Sequence, residues 1–175
     1  LRSGPVVRPQ RWAVVEQLAQ SAAIPALPME SPRGVNDPWL HQATNCLERA
    51  DLVLLAGKKL DFTLRFGQSP FFSHSCRFIQ IDPDPAVIAQ TRRALNDTGG
   101  LAFTAVGNPE ASIRGLVEMA AIVDWPVSGW RREVEDAVSY RPASWSEGSL
   151  STGSARVGPN GGGPLHPAEV CSLEF

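Results

Sequence analysis

A glycine, two lysines and an aspartate follow a long apolar run in the middle of the chain. They form the motif Gly57-Lys58-Lys59-Leu60-Asp61. A glycine lets the backbone approach a ligand closely, lysines can meet phosphate oxygens, and a carboxylate accepts hydrogen bonds from ribose hydroxyls or backbone amides. These residue types in this order predict contact with a nucleotide. The alternative is an ordinary turn after a strand, with solvated lysines.

Two further carboxylates stand at the end of the next apolar run, in Asp82-Pro83-Asp84. A carboxylate at the end of a parallel strand can hold ribose hydroxyls, as in dinucleotide-binding folds. We therefore predict that Asp82 contacts a nucleotide. Asp84 precedes Pro85 and is predicted to cap the following helix.

Two other glycines complete the candidate ligand groups. Gly4 lies in Ser3-Gly4-Pro5, where a glycine turn near a diphosphate is one interpretation, although Pro5 has no amide donor. Gly107 is followed by Asn108, which is predicted to cap a helix. Of these two glycines, Gly4 is the candidate for phosphate contact.

No residue pattern typical of catalysis or metal binding accompanies these groups. The three histidines have no serine, cysteine or carboxylate partner at a recognisable spacing, and the three cysteines form no Cys-x-x-Cys pair. The sequence therefore predicts no catalytic residue and no metal ligand in this chain. Reduced thiols indicate a cytoplasmic protein.

Charge and hydropathy exclude two classes of partner. The chain has 175 residues and a formal net charge of −2, and its 16 basic residues are scattered. This distribution predicts neither a groove that binds nucleic acid nor a surface that binds anionic membranes. No apolar run reaches the roughly 18 residues of a membrane span. The N-terminus has no apolar core typical of a signal peptide. Because residue 1 is leucine and not methionine, we expect a piece of a longer protein.

The elements that must position these groups alternate between helices and strands. Helices are predicted over residues 11–22, 38–49, 85–93, 109–121 and 130–140, and strands over residues 24–27, 51–57, 77–82 and 101–106. This alternation predicts an α/β fold with three layers, a doubly wound, Rossmann-like parallel sheet with helices on both faces. The apolar run before Gly57 has no alternation, which is typical of a parallel strand covered on both sides.

Composition divides the chain into four parts. An α/β domain is followed by a charged helical extension, a linker rich in serine and glycine, and a short terminal part that begins another domain or is not native. Their predicted ranges are residues 1–122, 123–145, 146–163 and 164–175. The tryptophans of the C-terminal half are expected to dock this part onto a neighbouring domain.

Several motifs, in order, resemble the central domain of thiamine-diphosphate-dependent enzymes. That group includes acetolactate synthases, pyruvate oxidases, oxalyl-CoA decarboxylases and benzaldehyde lyases. The resemblance covers roughly residues 3–170, and its motifs lie at residues 30–34, 50–61, 66–67, 79–85 and 163–167. Their combined order and spacing carry the resemblance.

The resemblance implies a parent enzyme with three domains. Thiamine diphosphate and Mg²⁺ would be bound in the full-length parent by N-terminal and C-terminal domains of the same polypeptide, across a subunit interface, and not by this chain alone. The chain contains no Gly-Asp-Gly motif of the C-terminal domain. A homo-oligomer, dimer or tetramer, is implied. In relatives that bind FAD or ADP, the turn equivalent to Gly57–Asp61 touches the nucleotide.

The implied function is that of a decarboxylase or carboligase acting on 2-keto acids or acyl-CoA, a lyase or transferase. This central, FAD/NAD-binding-like domain would be inactive in isolation. Two alternatives remain from the sequence. One is a stand-alone module that binds FAD, ADP or NAD, and the other is a purely structural oligomerisation domain whose crevice holds no ligand.

Overall fold

The computed structural model describes residues 9–29, 31–95, 100–125 and 129–141. Within these residues three parallel strands form one sheet, β1 Leu52–Ala56, β2 Arg77–Asp82 and β3 Leu101–Val106, in the order β1-β2-β3. All three strands lie where the sequence predicted them. Parallel strands joined through helices confirm the predicted α/β, Rossmann-like fold.

The helices also follow the predicted order. They are α1 Pro9–Ser21, α2 Ala43–Leu47, α3 Pro85–Ala94, α4 Pro109–Ala120 and α5 Trp130–Ser139. Short 3₁₀ segments cover Gly34–Asn36, Pro38–Leu40 and Phe62–Gly67. Helices α3 and α4 each begin at a proline, which suits the first helical turn because its amide needs no partner.

Apolar side chains of β1 point alternately into two clusters, one on each face of the sheet. Val53 and Leu55 belong to a cluster that includes residues of α2 and α5. Leu54 and Ala56 pack against a second cluster formed by residues of α1 and α4. The apolar run of β1 is therefore explained by burial on both faces, and the predicted three layers are confirmed.

The predicted strand over residues 24–27 is wrong. These residues have no ladder partner among the described residues and run as an irregular segment. The amide of Ile24 instead donates to the carbonyl of Ala19 at the end of α1. A strand exists only where a neighbouring strand accepts its hydrogen bonds, and local apolar composition does not supply one.

The predicted continuous helix over residues 38–49 is interrupted. His41 has φ of 45°, which ends the 3₁₀ segment Pro38–Leu40 before α2 begins. The amide of Gln42 donates to the carbonyl of Ala137 in α5 at 3.1 Å. This tertiary hydrogen bond replaces the one that an unbroken helix would make. The predicted inward positions Leu40 and Leu47 are buried nevertheless.

Helix α5 packs against the same core as the strands, in one compact unit that extends to Ser139. Val134 is buried in the cluster next to Val53 and Leu55, and Trp130 packs at its margin. The guanidinium of Arg49 lies 5.1 Å from the centre of the Trp130 ring. Trp130 therefore contacts this domain itself. The predicted linker and terminal part, residues 146–175, lie outside the described residues.

Candidate functional site

The carboxyl edge of the sheet begins with the turn at Gly57. Gly57 has φ of 66°, a conformation that favours glycine, and its amide donates to the carbonyl of Ile81 at 2.8 Å. A side chain at this position would meet the ring of Pro109 at 3.2 Å. The turns after β1 and β3 therefore approach each other at this edge, as expected for parallel strands.

The side chain of Lys58 turns into the protein. Its side chain is buried, with the residue only 5% exposed, and Nζ donates to Oγ1 of Thr63 at 2.8 Å. The Lys58 carbonyl accepts from Nε2 of Gln80 at 3.2 Å. Burial lowers the pKa of Lys58, and the nearby carboxylate of Asp61 opposes that shift. The ammonium is thus held in an internal hydrogen-bond network.

Asp61 belongs to the same network. Its Oδ1 accepts from both the amide of Thr63 at 2.9 Å and the Thr63 hydroxyl at 2.5 Å. Asp61 therefore shapes the turn that leads into the 3₁₀ segment Phe62–Gly67. Lys59, by contrast, is exposed. The interpretation of solvated lysines is correct for Lys59 and wrong for Lys58.

Asp82 and Asp84 end β2 with two successive hydrogen-bonded turns. Asp82 is 6% exposed, and its Oδ1 accepts from the amide of Asp84 at 2.9 Å. Oδ1 of Asp84 in turn accepts from the amide of Ala86 at 2.8 Å, which confirms Asp84 as the cap of α3. One acceptor of the Asp82 carboxylate is therefore already used to shape the loop.

Asn108 performs the same capping role for α4. Its Oδ1 accepts from the amides of Glu110 at 2.9 Å and Ala111 at 3.3 Å. The preceding Gly107 donates its amide to the carbonyl of Asp82 at 3.1 Å. The predicted helix cap is confirmed, and the β2 and β3 turns are tied together at the carboxyl edge.

A cavity of about 740 Å³ lies along β1. Among the predicted nucleotide-binding residues that the structure describes, Gly57 lines this cavity, whereas Lys58, Lys59, Asp61 and Asp82 do not. Gly4 lies outside the described residues. The structure thus separates Gly57, which faces the cavity beside Gly107 and Asn108, from the charged residues that the sequence grouped with it.

Sequence reasoning missed Thr63, which links Lys58 to Asp61. The signal was its position two residues after an aspartate, the spacing at which an Asx turn forms. The backbone of Gly34, with φ of 56°, lies so close to Thr63 that a Cβ on Gly34 would be 2.0 Å from the Thr63 carbonyl oxygen. Arg33 is an exposed turn residue beside it, and Glu30 lies outside the described residues.

The described residues do not fit the magnesium–diphosphate group of thiamine diphosphate. Among them no group of three or more His, Cys, Asp or Glu residues is placed to hold a metal ion.

Cys46 and Cys76 are both buried free thiols. Burial and the neighbouring carboxylate of Asp51 raise the pKa of Cys76 to about 11, so this thiol stays protonated at neutral pH. No helix in the described ranges is long and apolar enough to cross a membrane.

Comparison with known proteins gives two relatives. The chain is 27% identical to the 2-hydroxyacyl-CoA lyase of Saccharomyces cerevisiae over 131 residues, which is 71% of this chain. It is also 27% identical to 2-hydroxyacyl-CoA lyase 1 of Homo sapiens over 141 residues, or 76% of this chain.

The chain resembles 2-hydroxyacyl-CoA lyases. In both comparisons the match covers 23% of the relative, so the chain spans about a quarter of the length of these curated proteins. No family model matches the sequence.

Proposed function

We propose that this chain is the central domain of a longer thiamine-diphosphate-dependent enzyme that acts on 2-hydroxyacyl-CoA. The observation that carries the proposal is the similarity to two 2-hydroxyacyl-CoA lyases over 71% and 76% of the chain but 23% of each relative. The parallel sheet supports it, because a doubly wound domain fits the resemblance in residues 50–61 and 79–85.

Within such a parent this domain would act as a scaffold. Its buried charged groups are used internally, since Lys58 donates to Thr63 and the Asp82 carboxylate accepts from the Asp84 amide. Thiamine diphosphate bound by the other domains would supply an electron sink for the negative charge left on a carbonyl carbon when the adjacent carbon–carbon bond breaks, which suits cleavage of a 2-hydroxyacyl thioester. The domain would hold the two cofactor-binding domains at a fixed spacing.

Exposed apolar side chains support contacts with other protein surfaces. Phe103 and Val106 of β3 are 59% and 62% exposed, and Met119 in the last turn of α4 and Ile122 just after the helix are exposed as well. Large apolar side chains left open on a domain favour burial against a neighbour. We propose that these positions contact the flanking domains or a second subunit of a homo-oligomer.

The experiment is an assay of the full-length gene product for cleavage of a 2-hydroxyacyl-CoA. Turnover should depend on added thiamine diphosphate and Mg²⁺ and disappear after both are removed by dialysis against a chelator. Retained turnover without thiamine diphosphate, or absence of cleavage with it, would reject the proposed function.

A second role, holding FAD or ADP, is favoured by the position of Gly57. Its left-handed turn lines the cavity at the carboxyl edge of the sheet, where ligands of open α/β sheets bind, and exposed Lys59 is two residues further on. The test is the melting temperature with FAD, ADP, NAD or CoA, because a ligand that binds the native state raises it. An increase that Lys59→Ala removes and Arg92→Ala preserves supports nucleotide binding, and no increase with any of the four rejects it.

A further inference from the structure

The segment that follows Asp61 presents two aromatic rings to solvent. Phe62 is 64% exposed and Phe66 is 45% exposed, whereas Leu64 between them and Phe72 further along are buried in the core. The segment is therefore anchored on one side and leaves its rings open on the other. Neither ring lines the cavity along β1. Large apolar side chains left open close together in the chain are typical of a contact surface.

The backbone at Arg65 and Phe66 has an uncommon conformation. Their φ angles are 48° and 53°, and within the described ranges they are the only adjacent pair of non-glycine residues with positive φ. Two hydrogen bonds fix this turn, since the Phe66 amide donates to the Asp61 carbonyl at 2.9 Å and the Gln68 amide donates to the Arg65 carbonyl at 3.0 Å. Strained backbone of this kind is concentrated at binding and catalytic sites, so the turn is a candidate for ligand contact.

Two arginines accompany the two rings. Arg65 is exposed, and its guanidinium carbon lies 5.1 Å from the centre of the Phe71 ring. Arg33 is exposed too, and the adjoining Gly34 packs closely against the backbone of the same segment. Oδ1 of Asp61 already accepts hydrogen bonds within the turn. Aromatic faces beside positive charge complement a ligand that is both aromatic and anionic. The name aromatic–basic patch is used below for Arg33, Phe62, Arg65 and Phe66.

We propose that the aromatic–basic patch binds the nucleotide end of a coenzyme A thioester, with Arg65 on its 3′-phosphate. The inference rests on the proposed function, which gives the parent enzyme a CoA thioester as substrate. The nucleotide end of CoA carries an adenine ring, a diphosphate and a ribose 3′-phosphate. Purine rings stack on exposed aromatic side chains, and a guanidinium pairs with phosphate oxygens through parallel hydrogen bonds.

The 3′-phosphate is the group that distinguishes CoA from FAD, ADP and NAD. Of the two arginines, Arg65 is the better ligand for it, because its guanidinium is already held against Phe71 and loses less freedom on binding. The aromatic–basic patch therefore selects CoA, whereas the cavity beside Gly57 contains no group for this phosphate among the residues that line it.

The test is the affinity of the full-length gene product for CoA and for 3′-dephospho-CoA, measured by titration calorimetry. The wild type should bind CoA about ten-fold more tightly than dephospho-CoA. Arg65→Asn removes the guanidinium but supplies a residue that tolerates positive φ, and this variant should bind both compounds equally. Arg92→Asn, at an exposed position of α3, should keep the preference. Equal affinities in the wild type, or a preference that Arg65→Asn retains, overturn the proposal.

The role of the rings is tested separately at Phe62. Phe62→Ala should raise the Kd of CoA about ten-fold, because a stacking surface for the base is lost. Phe62→Trp should bind CoA like the wild type, and Phe62→Leu, which is apolar but has no ring, should not. Wild-type affinity in Phe62→Leu would contradict stacking. Unchanged affinity in Phe62→Ala together with an altered oligomeric state would assign the ring to a protein contact and overturn the proposal.

These affinities are measured without turnover, so the patch and the proposed function can fail independently. In an active enzyme Arg65→Asn should raise the KM for 2-hydroxyacyl-CoA and leave kcat nearly unchanged, because the contact is the same in the ground state and the transition state. Loss of the CoA preference in Arg65→Asn of a protein without thiamine-dependent turnover would reject the proposed function and support the patch. Thiamine-dependent turnover with an unchanged preference would do the reverse.

Discussion

Lys58 shows how burial changes the role of a charged residue. Its sequence neighbours suggested a phosphate ligand, yet Nζ donates to Thr63, and Thr63 donates to Asp61. Desolvation lowers the Lys58 pKa because the protein interior disfavours the charged form. A lysine in this state contributes to the shape of the turn, and exposed Lys59 is the residue available to an anionic ligand.

The lowered pKa of Lys58 predicts a pH dependence of stability. Between its folded-state pKa and the ordinary value of 10.5, the unfolded chain binds the proton and the folded chain does not, so the free energy of unfolding rises with pH. Urea denaturation across this window should show that the wild type gains stability relative to Lys58→Met. At pH 7 the control Lys59→Met should lie within about 0.5 kcal/mol of the wild type. A difference that falls with rising pH would contradict the assignment.

Cys76 predicts the opposite trend. Its pKa is raised from 9.0 to about 11, so between these values the unfolded thiol loses its proton while the folded thiol keeps it. The wild type should lose roughly 2 to 3 kcal/mol relative to Cys76→Ala over that range. Urea denaturation under reducing conditions measures this change in the free energy of unfolding. The control Ser75→Ala, at an exposed neighbouring residue, should show the same pH dependence as the wild type. Parallel curves for wild type and Cys76→Ala would reject a buried, protonated thiol.

At the scale of elements, the sequence correctly predicted the secondary structure that depends on the pattern of neighbouring residues. Strands β1, β2 and β3 were found because each is an apolar run bounded by a turn residue. The predictions for residues 24–27 and 38–49 were wrong for a common reason, because both conformations depend on partners far away in the chain. A strand needs a neighbouring strand, and the interruption at residue 41 is accompanied by the Gln42–Ala137 hydrogen bond.

The same limit applies to the candidate site. The caps Asp84 and Asn108 could be predicted because a cap bonds within three residues of itself. The burial of Lys58 could not, because it depends on Thr63 and on the 3₁₀ segment Phe62–Gly67, for which no periodic pattern exists. The cavity was also hidden from the sequence, since its walls come from segments far apart in the chain.

Gly34 holds the loop before α2 against the Phe62–Gly67 segment. A Cβ there would lie 2.0 Å from the Thr63 carbonyl oxygen, and φ is 56°. Gly34→Ala should therefore lower the free energy of unfolding by roughly 3 kcal/mol, from strain and displaced backbone. Gly115 is the matched control, since it lies within α4 with open space around it. Gly115→Ala should stabilise the protein by about 0.5–1 kcal/mol. Similar effects of the two substitutions in urea would refute the close approach.

The cap of α4 provides a second test at this scale. Asn108→Ala removes the acceptor for the amides of Glu110 and Ala111 and should cost about 1 kcal/mol. Asn108→Asp retains an acceptor oxygen at the helix N-terminus and should restore most of that stability. Thermal denaturation of the wild type and the two variants measures these differences in stability. An alanine variant as stable as the wild type would exclude a capping role.

At the scale of the whole molecule, the described residues up to Ser139 belong to one compact unit with two apolar clusters on opposite faces of one sheet. At the carboxyl edge, the side chains of Lys58, Asp61 and Asp82 each make at least one hydrogen bond within the protein. The similarity to 2-hydroxyacyl-CoA lyases covers 23% of each relative. Our proposal of a scaffold domain within a longer enzyme rests on these observations.

The most direct test of this account is a side-by-side measurement of 2-hydroxyacyl-CoA cleavage by the 175-residue chain and by the full-length gene product, both with thiamine diphosphate and Mg²⁺. The account predicts turnover by the full-length protein and none by the chain alone at equal molar concentration. Thiamine-dependent turnover by the isolated chain would contradict the assignment of a scaffold role to this domain.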